Sequence, residues 1–214
     1  MQGIAYKPAG DKGRTRIQQA NRRVILDAAL DVFSTYGYRG STIDQIAAKA
    51  GMSKPNLLYY FKKKQDIYVS VLQDTLEQWL APLAAIDPAG DPIDELRRYV
   101  SAKLDMSARR PEASRLFANE ILHGAPAIGG FLKGPLKKLV DEKAAVIRGW
   151  VDAGKLAPVD PHHLIFMIWA STQHYADFDI QIRAILGSQV SKSAFREQTA
   201  QAVLTIMLNG LRPR

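Results

Sequence analysis

The chain has 214 residues, is 47% hydrophobic and contains no cysteine. This length and composition suffice for one or two hydrophobic cores, and they exclude a disordered chain, a disulfide scaffold and any thiolate site. The whole formal net charge of +8 lies in residues 1–64, because residues 65–214 carry equal numbers of basic and acidic side chains. A basic segment on a neutral body is typical of proteins that bind nucleic acid.

The sequence shows no sign of export or membrane insertion. Residues 1–19 lack the apolar run of a secretory signal, and the longest apolar segment, residues 164–170, is far shorter than the roughly 18–20 residues of a membrane helix. The basic residues also do not oppose a broad apolar face, which argues against a lipid-binding surface. Because a chain without cysteine fits a reducing compartment, we expect a cytoplasmic protein.

The chain begins with a polar, basic segment and then becomes helical. Residues 1–15 predict a mobile basic arm. From Val24 to Tyr36 the apolar side chains recur at three- and four-residue spacing, which predicts an amphipathic helix. Gly37 is expected to end that helix.

Two short helices are predicted next. Thr42 or Ser41 can cap the first of them, and Gly51 stops it. Ser53 can cap the second, which has Pro55 in its first turn, where the missing N–H costs little.

A fourth helix is expected from Lys63 to Ala81, before Pro82 and the DPAGDP segment at 87–92 break the chain. We expect the domain boundary at this break. The predicted domains are a helix-turn-helix DNA-binding domain with its connecting helix at 16–81, and a larger ligand-binding and dimerisation domain at 82–214.

Helical periodicity continues beyond the break. The Gly- and Pro-rich segment 124–135 predicts a loop or a broken helix, and no alternating strand pattern is found. We therefore expect an all-α protein. Its further helices are predicted at roughly 92–108, 111–123, 135–153, 161–177, 179–186 and 191–209.

The segment STIDQIAAKAGMSKPNLLYYF, residues 41–61, has the pattern of a helix-turn-helix motif within the basic part of the chain. In such a motif the second helix enters the major groove with its first turn against base edges. Asn56 matches the edge of adenine, Lys54 can donate to guanine or phosphate, and Tyr60 suits phosphate. The predicted DNA contacts are Thr42, Ser53, Lys54, Pro55, Asn56, Tyr59, Tyr60 and Lys64. The alternative is an ordinary helical hairpin whose charges face solvent. The basic charge and the motif both indicate DNA binding, which disfavours this alternative.

These residues carry a family resemblance. The chain resembles the TetR-type transcriptional repressors over about residues 22–81, although Leu58 stands where many relatives have Tyr, which leaves open whether Tyr59 or Tyr60 contacts phosphate. The matching positions are Ala28, Ala29, Phe33, Tyr36, Gly37, Gly40, Ser41, Ile46, Ala47, Ala50, Gly51, Met52, Ser53, Lys54, Tyr60, Phe61 and Lys64.

The second half resembles one subgroup, the pyrimidine-utilisation (Rut) repressors. The segments that carry this resemblance are NLLYYF (56–61), WLAPL (79–83), ASRLF (113–117) and GWVDAGKLAPVDPHHLIFMIWASTQHYADF (149–178). The resemblance implies a dimer that releases DNA when uracil or thymine enters the C-terminal domain. We expect the dimer to form through the helices near 161–186 and 191–209, and two-fold symmetry then predicts a palindromic operator.

A flat base requires an apolar or aromatic slot and a few directed polar groups. Trp169 and Gln173 lie four residues apart on one predicted helix, and Phe166 precedes Trp169 by three. The Gln173 amide offers a donor and an acceptor, as an imide edge requires. Trp79 ends the fourth helix, where the domains join, and Arg97 can supply a donor. Each of these residues could instead have an ordinary structural role: the aromatic side chains in the core, Gln173 at the dimer interface and Arg97 in solvent. The family resemblance favours a role in effector binding for Trp79, Trp169 and Gln173.

No catalytic motif is present, so the sequence predicts no enzyme and no cofactor. His174 and Asp177 lie one helical turn apart, but two ligands do not make a metal site. We therefore expect a transcriptional repressor whose operator affinity falls when it binds a pyrimidine base. The alternatives are a TetR-type regulator of an unrelated small apolar or aromatic effector, and an architectural DNA-binding protein without an effector.

Overall fold

The computed structural model describes residues 15–187 and 192–213, and every element in them is helical, which confirms the all-α prediction. The predicted arm lies outside the described residues except for Thr15, which caps the first helix. The helices are α1 (Arg16–Gly40), α2 (Ile43–Lys49), α3 (Lys54–Tyr60), α4 (Lys64–Ala84), α5 (Pro92–Arg109), α6 (Pro111–Leu122), α7 (Gly129–Phe131), α8 (Lys137–Asp152), α9 (Pro161–Asp177), α10 (Asp179–Leu186) and α11 (Lys192–Leu211), with a π-helical turn (Leu132–Leu136) between α7 and α8.

The chain divides into two compact units between Tyr68 and Val69, within α4. The first unit contains α1, α2, α3 and the start of α4. The second contains the rest of α4 and the helices from α5 onward. The functional boundary that we predicted between residues 81 and 82 remains a prediction.

The helix ends of the first unit follow from side-chain caps. Thr42, and not Ser41, caps α2, because the Thr42 hydroxyl accepts a hydrogen bond from the Gln45 backbone while the Gln45 side chain reaches back to the Thr42 N–H. Ser41 is buried and donates to the Gly37 carbonyl at 2.6 Å. Gly37 itself breaks the regular path of α1, with a φ of 68° that favours glycine.

A small core holds the first unit together. Ile25 and Phe33 of α1, Ile46 of α2 and Leu57 of α3 are each at most 1% exposed. Burying a side chain of this size contributes about 1.5–3 kcal/mol. Because Leu57 is the buried residue of α3, the helix is fixed along one side and leaves its other side in solvent.

In the second unit α9 packs against α5, α6, α8 and α10, and α11 packs against α5. The core between these helices contains Tyr99 of α5, Ile147 of α8 and Ile165 and Ile168 of α9, all nearly inaccessible to solvent.

The predicted end of α4 at Ala81 is wrong, because the helix continues through Pro82 to Ala84. Proline removes one backbone hydrogen bond at the last turn of the helix. Because the helix continues, Leu83 lies in the core of the second unit, where it is 0% exposed.

Within residues 15–187 and 192–213, no helix combines the length and the apolar character that a membrane span requires.

The turn between α2 and α3 gives a first prediction. Gly51 has a φ of +66° and open space around the missing side chain, so Gly51→Ala meets only backbone strain. We expect this change to lower the free energy of unfolding by about 1 kcal/mol in urea denaturation followed by circular dichroism. Gly40→Ala is the control, because the nearest atom to its new methyl group, the Tyr36 Cβ, lies at an ordinary 3.5 Å. Equal stabilities of the two variants would contradict the strained turn.

Candidate DNA-binding surface and effector site

The first turn of α3 is exposed and polar. Leu57 faces the core, whereas Ser53, Lys54, Pro55 and Asn56 lie in solvent. Ser53 caps the helix, because its hydroxyl accepts a hydrogen bond from the Asn56 backbone at 3.4 Å. The first turn of α3 is thus accessible, as the predicted contacts with base edges require.

Lys54 is paired within the motif. Its Nζ lies 2.9 Å from Oδ2 of Asp44 at the start of α2, and about half or more of each side chain is exposed. Exposed ion pairs of this kind contribute about 0–1 kcal/mol to the free energy of unfolding. A phosphate or a guanine edge can therefore replace Asp44 as the partner of this ammonium at little cost.

Both tyrosines at the end of α3 are held by side chains of α1. Gln18 Nε2 donates to the Tyr59 hydroxyl at 3.2 Å, and Asn21 Nδ2 donates to the Tyr60 hydroxyl at 2.8 Å. Each hydroxyl keeps its own proton for a further acceptor such as a phosphate oxygen. Tyr59 is 63% exposed and Tyr60 is partly buried, so Tyr59 is the more accessible of the two.

Thr42 is exposed at the N-terminus of α2, with its hydroxyl in the capping box. Lys64 has a structural role that the sequence did not reveal. Its ammonium donates to the carbonyls of Tyr38 and Ser41, each at 2.7 Å, and lies 4.6 Å from the centre of the Tyr38 ring. It thereby ties the end of α1 to the start of α4 and uses two of its three donors to do so.

Side chains of α4, α5, α6 and α9 make four contacts with one another in the second unit. Lys103 Nζ lies 4.4 Å from the centre of the Trp79 ring, and Trp79 packs edge-on against Phe117 at 5.5 Å. Trp169 Nε1 donates to the Tyr99 hydroxyl at 2.6 Å. The remaining link from α6 to α9 is a hydrogen bond of 2.5 Å from Ser114 Oγ to Asp177.

Helical spacing relates these four contacts to one another. Tyr99 and Lys103 are four residues apart on α5, Ser114 and Phe117 three apart on α6, and Trp169 and Asp177 eight apart on α9, with half-buried Gln173 between them. We call this set the contact ring. Its members are Trp79, Tyr99, Lys103, Ser114, Phe117, Trp169, Gln173 and Asp177.

Lys103 is a cation buried in this ring. It is 3% exposed, and burial lowers the pKa of its ammonium to about 8, an effect that the charge of Asp177 opposes. Burial raises the pKa of the half-buried Asp177 carboxyl, against the Ser114 hydrogen bond and the charges of Arg115, His174 and Lys103. Asp177 accepts a hydrogen bond from Ser114, and its charge raises the pKa of Lys103 without a hydrogen bond between the two.

The structure brings together some of the predicted effector residues and separates others. Trp79 and Trp169 make contacts of the contact ring, and Gln173 belongs to it by its place on α9. Phe166 is 50% exposed and packs against Trp169 at 5.8 Å on the outer side of α9. Arg97 is on the exposed side of α5, where its guanidinium pairs with Asp94 at 3.8 Å, so it does not join the others.

The sequence analysis missed Tyr99, Lys103, Ser114 and Phe117. One signal was available, since Lys103 is a charged residue within the apolar stripe of α5 that includes Leu96 and Val100. A lysine at such a position requires either a buried partner or a ligand.

A separate cleft of about 590 Å³ lies between α5, α6, α9, α10 and α11. Leu104, Tyr175 and Phe195 provide apolar walls. Two buried hydroxyls of this cleft, on Ser107 and Thr199, have no hydrogen-bond partner among the residues that the structure describes. Trp79, Trp169 and Gln173 are not part of its lining.

The histidines make ordinary contacts. His162 Nε2 lies 3.2 Å from Asp141, and His174 stacks on Phe178 at 4.9 Å. No group of three or more His, Cys, Asp or Glu side chains suited to a metal occurs in the described part of the chain.

Comparison with known proteins accounts for both units. Residues 25–71 match the family of bacterial regulatory proteins named tetR, and residues 72–214 match the C-terminal region of YcdC-like proteins. The chain is 50% identical over 201 residues to the HTH-type transcriptional regulator RutR of Escherichia coli (strain K12), covering 94% of this chain and 95% of that protein. It is 32% identical over 147 residues to the HTH-type transcriptional repressor NicS of Pseudomonas putida, covering 67% of this chain and 68% of that protein. The fold matches the ketosteroid transcriptional regulator KstR2 of Mycobacterium tuberculosis with a TM-score of 0.70 and 19% identity, over 94% of this chain and 98% of that chain.

The buried ammonium gives a prediction about stability and pH. Between pH 8 and pH 10.5 the unfolded chain keeps the proton of Lys103 and the folded chain releases it, because the folded pKa is about 8 and the unfolded one 10.5. The free energy of unfolding, relative to Lys103→Met, should therefore rise with pH in this window, by at most about 1.4 kcal/mol per pH unit. Urea denaturation of both proteins from pH 7 to pH 10 measures the difference. A difference that is constant over this range would show that Lys103 is not buried as a cation.

Proposed function

The chain belongs to the TetR family of bacterial transcriptional regulators, and we propose that it is a homodimeric repressor that releases its operator on binding a pyrimidine base. Regulators of this family bind operator DNA and small effectors and function as dimers. The resemblance inferred from the sequence is thus confirmed, as is the prediction that the chain is a regulator and not an enzyme. Since its target is DNA, we place it in the cytoplasm.

The proposed DNA contacts are those of the exposed first turn of α3. Asn56 reads a base edge, Lys54 exchanges Asp44 for DNA, and Tyr59 holds a phosphate. Thr42 at the N-terminus of α2 contributes a second phosphate contact. Because two copies present the same helix, the operator is a palindrome with half-sites about one turn of DNA apart.

The proposed dimer interface uses the outer faces of α9, α10 and α11. Large apolar side chains are exposed there, with Met167 61%, Ile180 86% and Ile206 76% accessible. Exposed apolar surface of this extent is typical of a face that a partner covers. Val203, one turn before Ile206, instead lies in the core of the chain itself.

The observation that carries the effector assignment is the contact ring together with 50% identity to RutR over nearly the whole chain. The two tryptophan rings supply the aromatic groups that a planar base requires, and the Gln173 amide has both a donor and an acceptor. Uracil or thymine fits this combination. We expect the base to stabilise a state of the dimer in which the two α3 helices no longer match successive major grooves.

A second candidate follows from the cleft. Its apolar walls and the unpartnered hydroxyls of Ser107 and Thr199 suit an unrelated small apolar or aromatic effector with one polar end. An architectural protein without an effector would respond to neither kind of ligand.

The recognition surface is tested by Lys54→Ala and Asn56→Ala. Each should weaken binding to an operator selected in vitro by about 5–150-fold, because a good base contact contributes about 1–3 kcal/mol. Fluorescence anisotropy at fixed salt measures the affinity. Lys155→Ala, an exposed lysine of the second unit, is the charge-matched control. Operator affinity that is unchanged in both α3 variants would show that this helix does not read the DNA.

The effector is tested by titration of tryptophan fluorescence and melting temperature with uracil, thymine, cytosine and adenine. Uracil or thymine should quench the fluorescence and raise the melting temperature in a saturable way, because a ligand of the native state stabilises it. Trp150 is the internal control, since its indole is buried and donates to the Pro88 carbonyl outside the contact ring.

The quenching should therefore persist in Trp150→Phe and fall in Trp79→Phe and Trp169→Phe. No response of the folded dimer to uracil or thymine would remove the pyrimidine assignment and leave the cleft as the candidate site.

A further inference from the structure

We propose that Gln18 is a positioning residue for operator DNA, which acts through the hydroxyl of Tyr59 without touching the DNA itself. The Gln18 amide N–H donates to this hydroxyl and so keeps the hydroxyl proton available for a phosphate oxygen. The DNA group that Tyr59 binds is a backbone phosphate, which carries no sequence information. The inference rests on the proposed function, because it concerns a DNA contact of the same helix α3.

The hydrogen bond between Gln18 and Tyr59 has only one possible direction. Gln18 Nε2 lies 3.2 Å from the Tyr59 hydroxyl oxygen, and an amide nitrogen donates but does not accept. The tyrosine oxygen is therefore the acceptor, and its own proton has no acceptor among residues 15–187 and 192–213. A hydroxyl that accepts one hydrogen bond is polarised and donates more strongly to a further acceptor. Tyr59 is thus prepared to donate to DNA.

The capping box of α1 decides which end of the Gln18 amide faces Tyr59. Gln18 Oε1 accepts from the Thr15 N–H at 3.0 Å, while Thr15 Oγ1 accepts from the Gln18 N–H at 3.3 Å. A backbone N–H only donates, so the amide atom that faces Thr15 is the oxygen, and the nitrogen is left for Tyr59. An amide turned by 180° would instead take up the tyrosine proton. The start of α1 therefore sets the donor character of a side chain on α3.

Tyr59 is the member of the tyrosine pair that DNA can reach. It is 63% exposed, whereas Tyr60 is partly buried and accepts a hydrogen bond from Asn21 Nδ2 at 2.8 Å. The two rings pack edge-on with their centres 5.2 Å apart, so the less exposed ring supports the other. Gln18 and Asn21 lie three residues apart on one face of α1. From this face, Asn21 holds the partly buried tyrosine and Gln18 orients the exposed one.

The inference is tested by a double-mutant cycle of Gln18→Met and Tyr59→Phe in the full-length protein. Gln18→Met keeps the length of the side chain and removes its donor. Affinity for an operator selected in vitro should therefore fall about 3–10-fold, as for the loss of one hydrogen bond. In the Tyr59→Phe background, which lacks the hydroxyl, Gln18→Met should have no further effect. Fluorescence anisotropy at fixed salt measures the four affinities.

Gln18→Glu separates the direction of the hydrogen bond from the helix cap. Glutamate also completes a capping box, so the melting temperature should be maintained. Both carboxylate oxygens accept, however, and one of them takes up the Tyr59 proton. Operator affinity should fall by more than in Gln18→Met. The new negative charge also repels phosphate, but this part of the loss remains in the Tyr59→Phe background, so the cycle again isolates the hydroxyl.

Random DNA distinguishes a lost phosphate contact from a displaced α3. Because a phosphate contact carries no sequence information, Gln18→Met should weaken binding to the operator and to random DNA by the same factor. A displaced α3 would also misplace Asn56 and weaken operator binding more than binding to random DNA.

Gln19→Met is the matched control for these measurements. Gln19 is the exposed neighbour of Gln18 on the same turn of α1, and its side chain makes no hydrogen bond within the part of the chain that the structure describes. The same chemical change at this position should leave both DNA affinities unchanged.

Three results would overturn the inference while the proposed function stands. Gln18→Met could have the same effect, or none, in both tyrosine backgrounds; its loss of affinity could be confined to the operator; or Tyr59→Phe could bind the operator normally while Lys54→Ala and Asn56→Ala bind it weakly. If no α3 variant changes operator affinity, the proposed recognition surface fails, and the inference fails with it.

Discussion

The packing of α9 among α5, α6 and α8 is the constraint on which the proposed effector site depends. Ile165, Ile168, Thr172 and Ala176 are almost completely buried, and they fix both the depth and the rotation of the helix. With that rotation set, the 3.6-residue period decides that Trp169, Gln173 and Asp177 share a neighbouring face. Hydrogen bonds from Trp169 to Tyr99 and from Ser114 to Asp177 then align this face with α5 and α6. Buried polar networks of this kind specify one arrangement because each unpaired group would be costly.

In the first unit, α3 is held firmly although its first turn is exposed. A single deeply buried residue, Leu57, anchors the helix, and the side chains of Gln18 and Asn21 hold the tyrosines at its end. Lys64 fixes the neighbouring helix ends through backbone carbonyls. This arrangement fixes α3 and leaves the Lys54 ammonium in only a weak, exposed pair with Asp44.

Much of the fold could be predicted because helix periodicity and caps are local signals. Thr42 and Ser53 cap α2 and α3, as their positions in the sequence indicated. Pro82 was misjudged as a stop, because the gain from burying Leu83 depends on a core that local sequence does not show. The contact ring joins residues far apart in the chain, such as Trp79 with Phe117 and Tyr99 with Trp169. Periodicity places Arg97 on α5, but only tertiary packing shows that it faces away from Trp169 and that Lys103 does not face solvent.

The central claim, that one protein couples operator and pyrimidine binding, is tested most directly by measuring uracil affinity in the absence of DNA and at saturating operator. Binding linkage requires that the operator weaken uracil binding by the same factor by which saturating uracil weakens operator binding, typically about 5–150-fold. The account predicts that the two independently measured factors agree. Uracil affinity that is identical with and without the operator would contradict the account, because such a ligand could not drive release of the DNA.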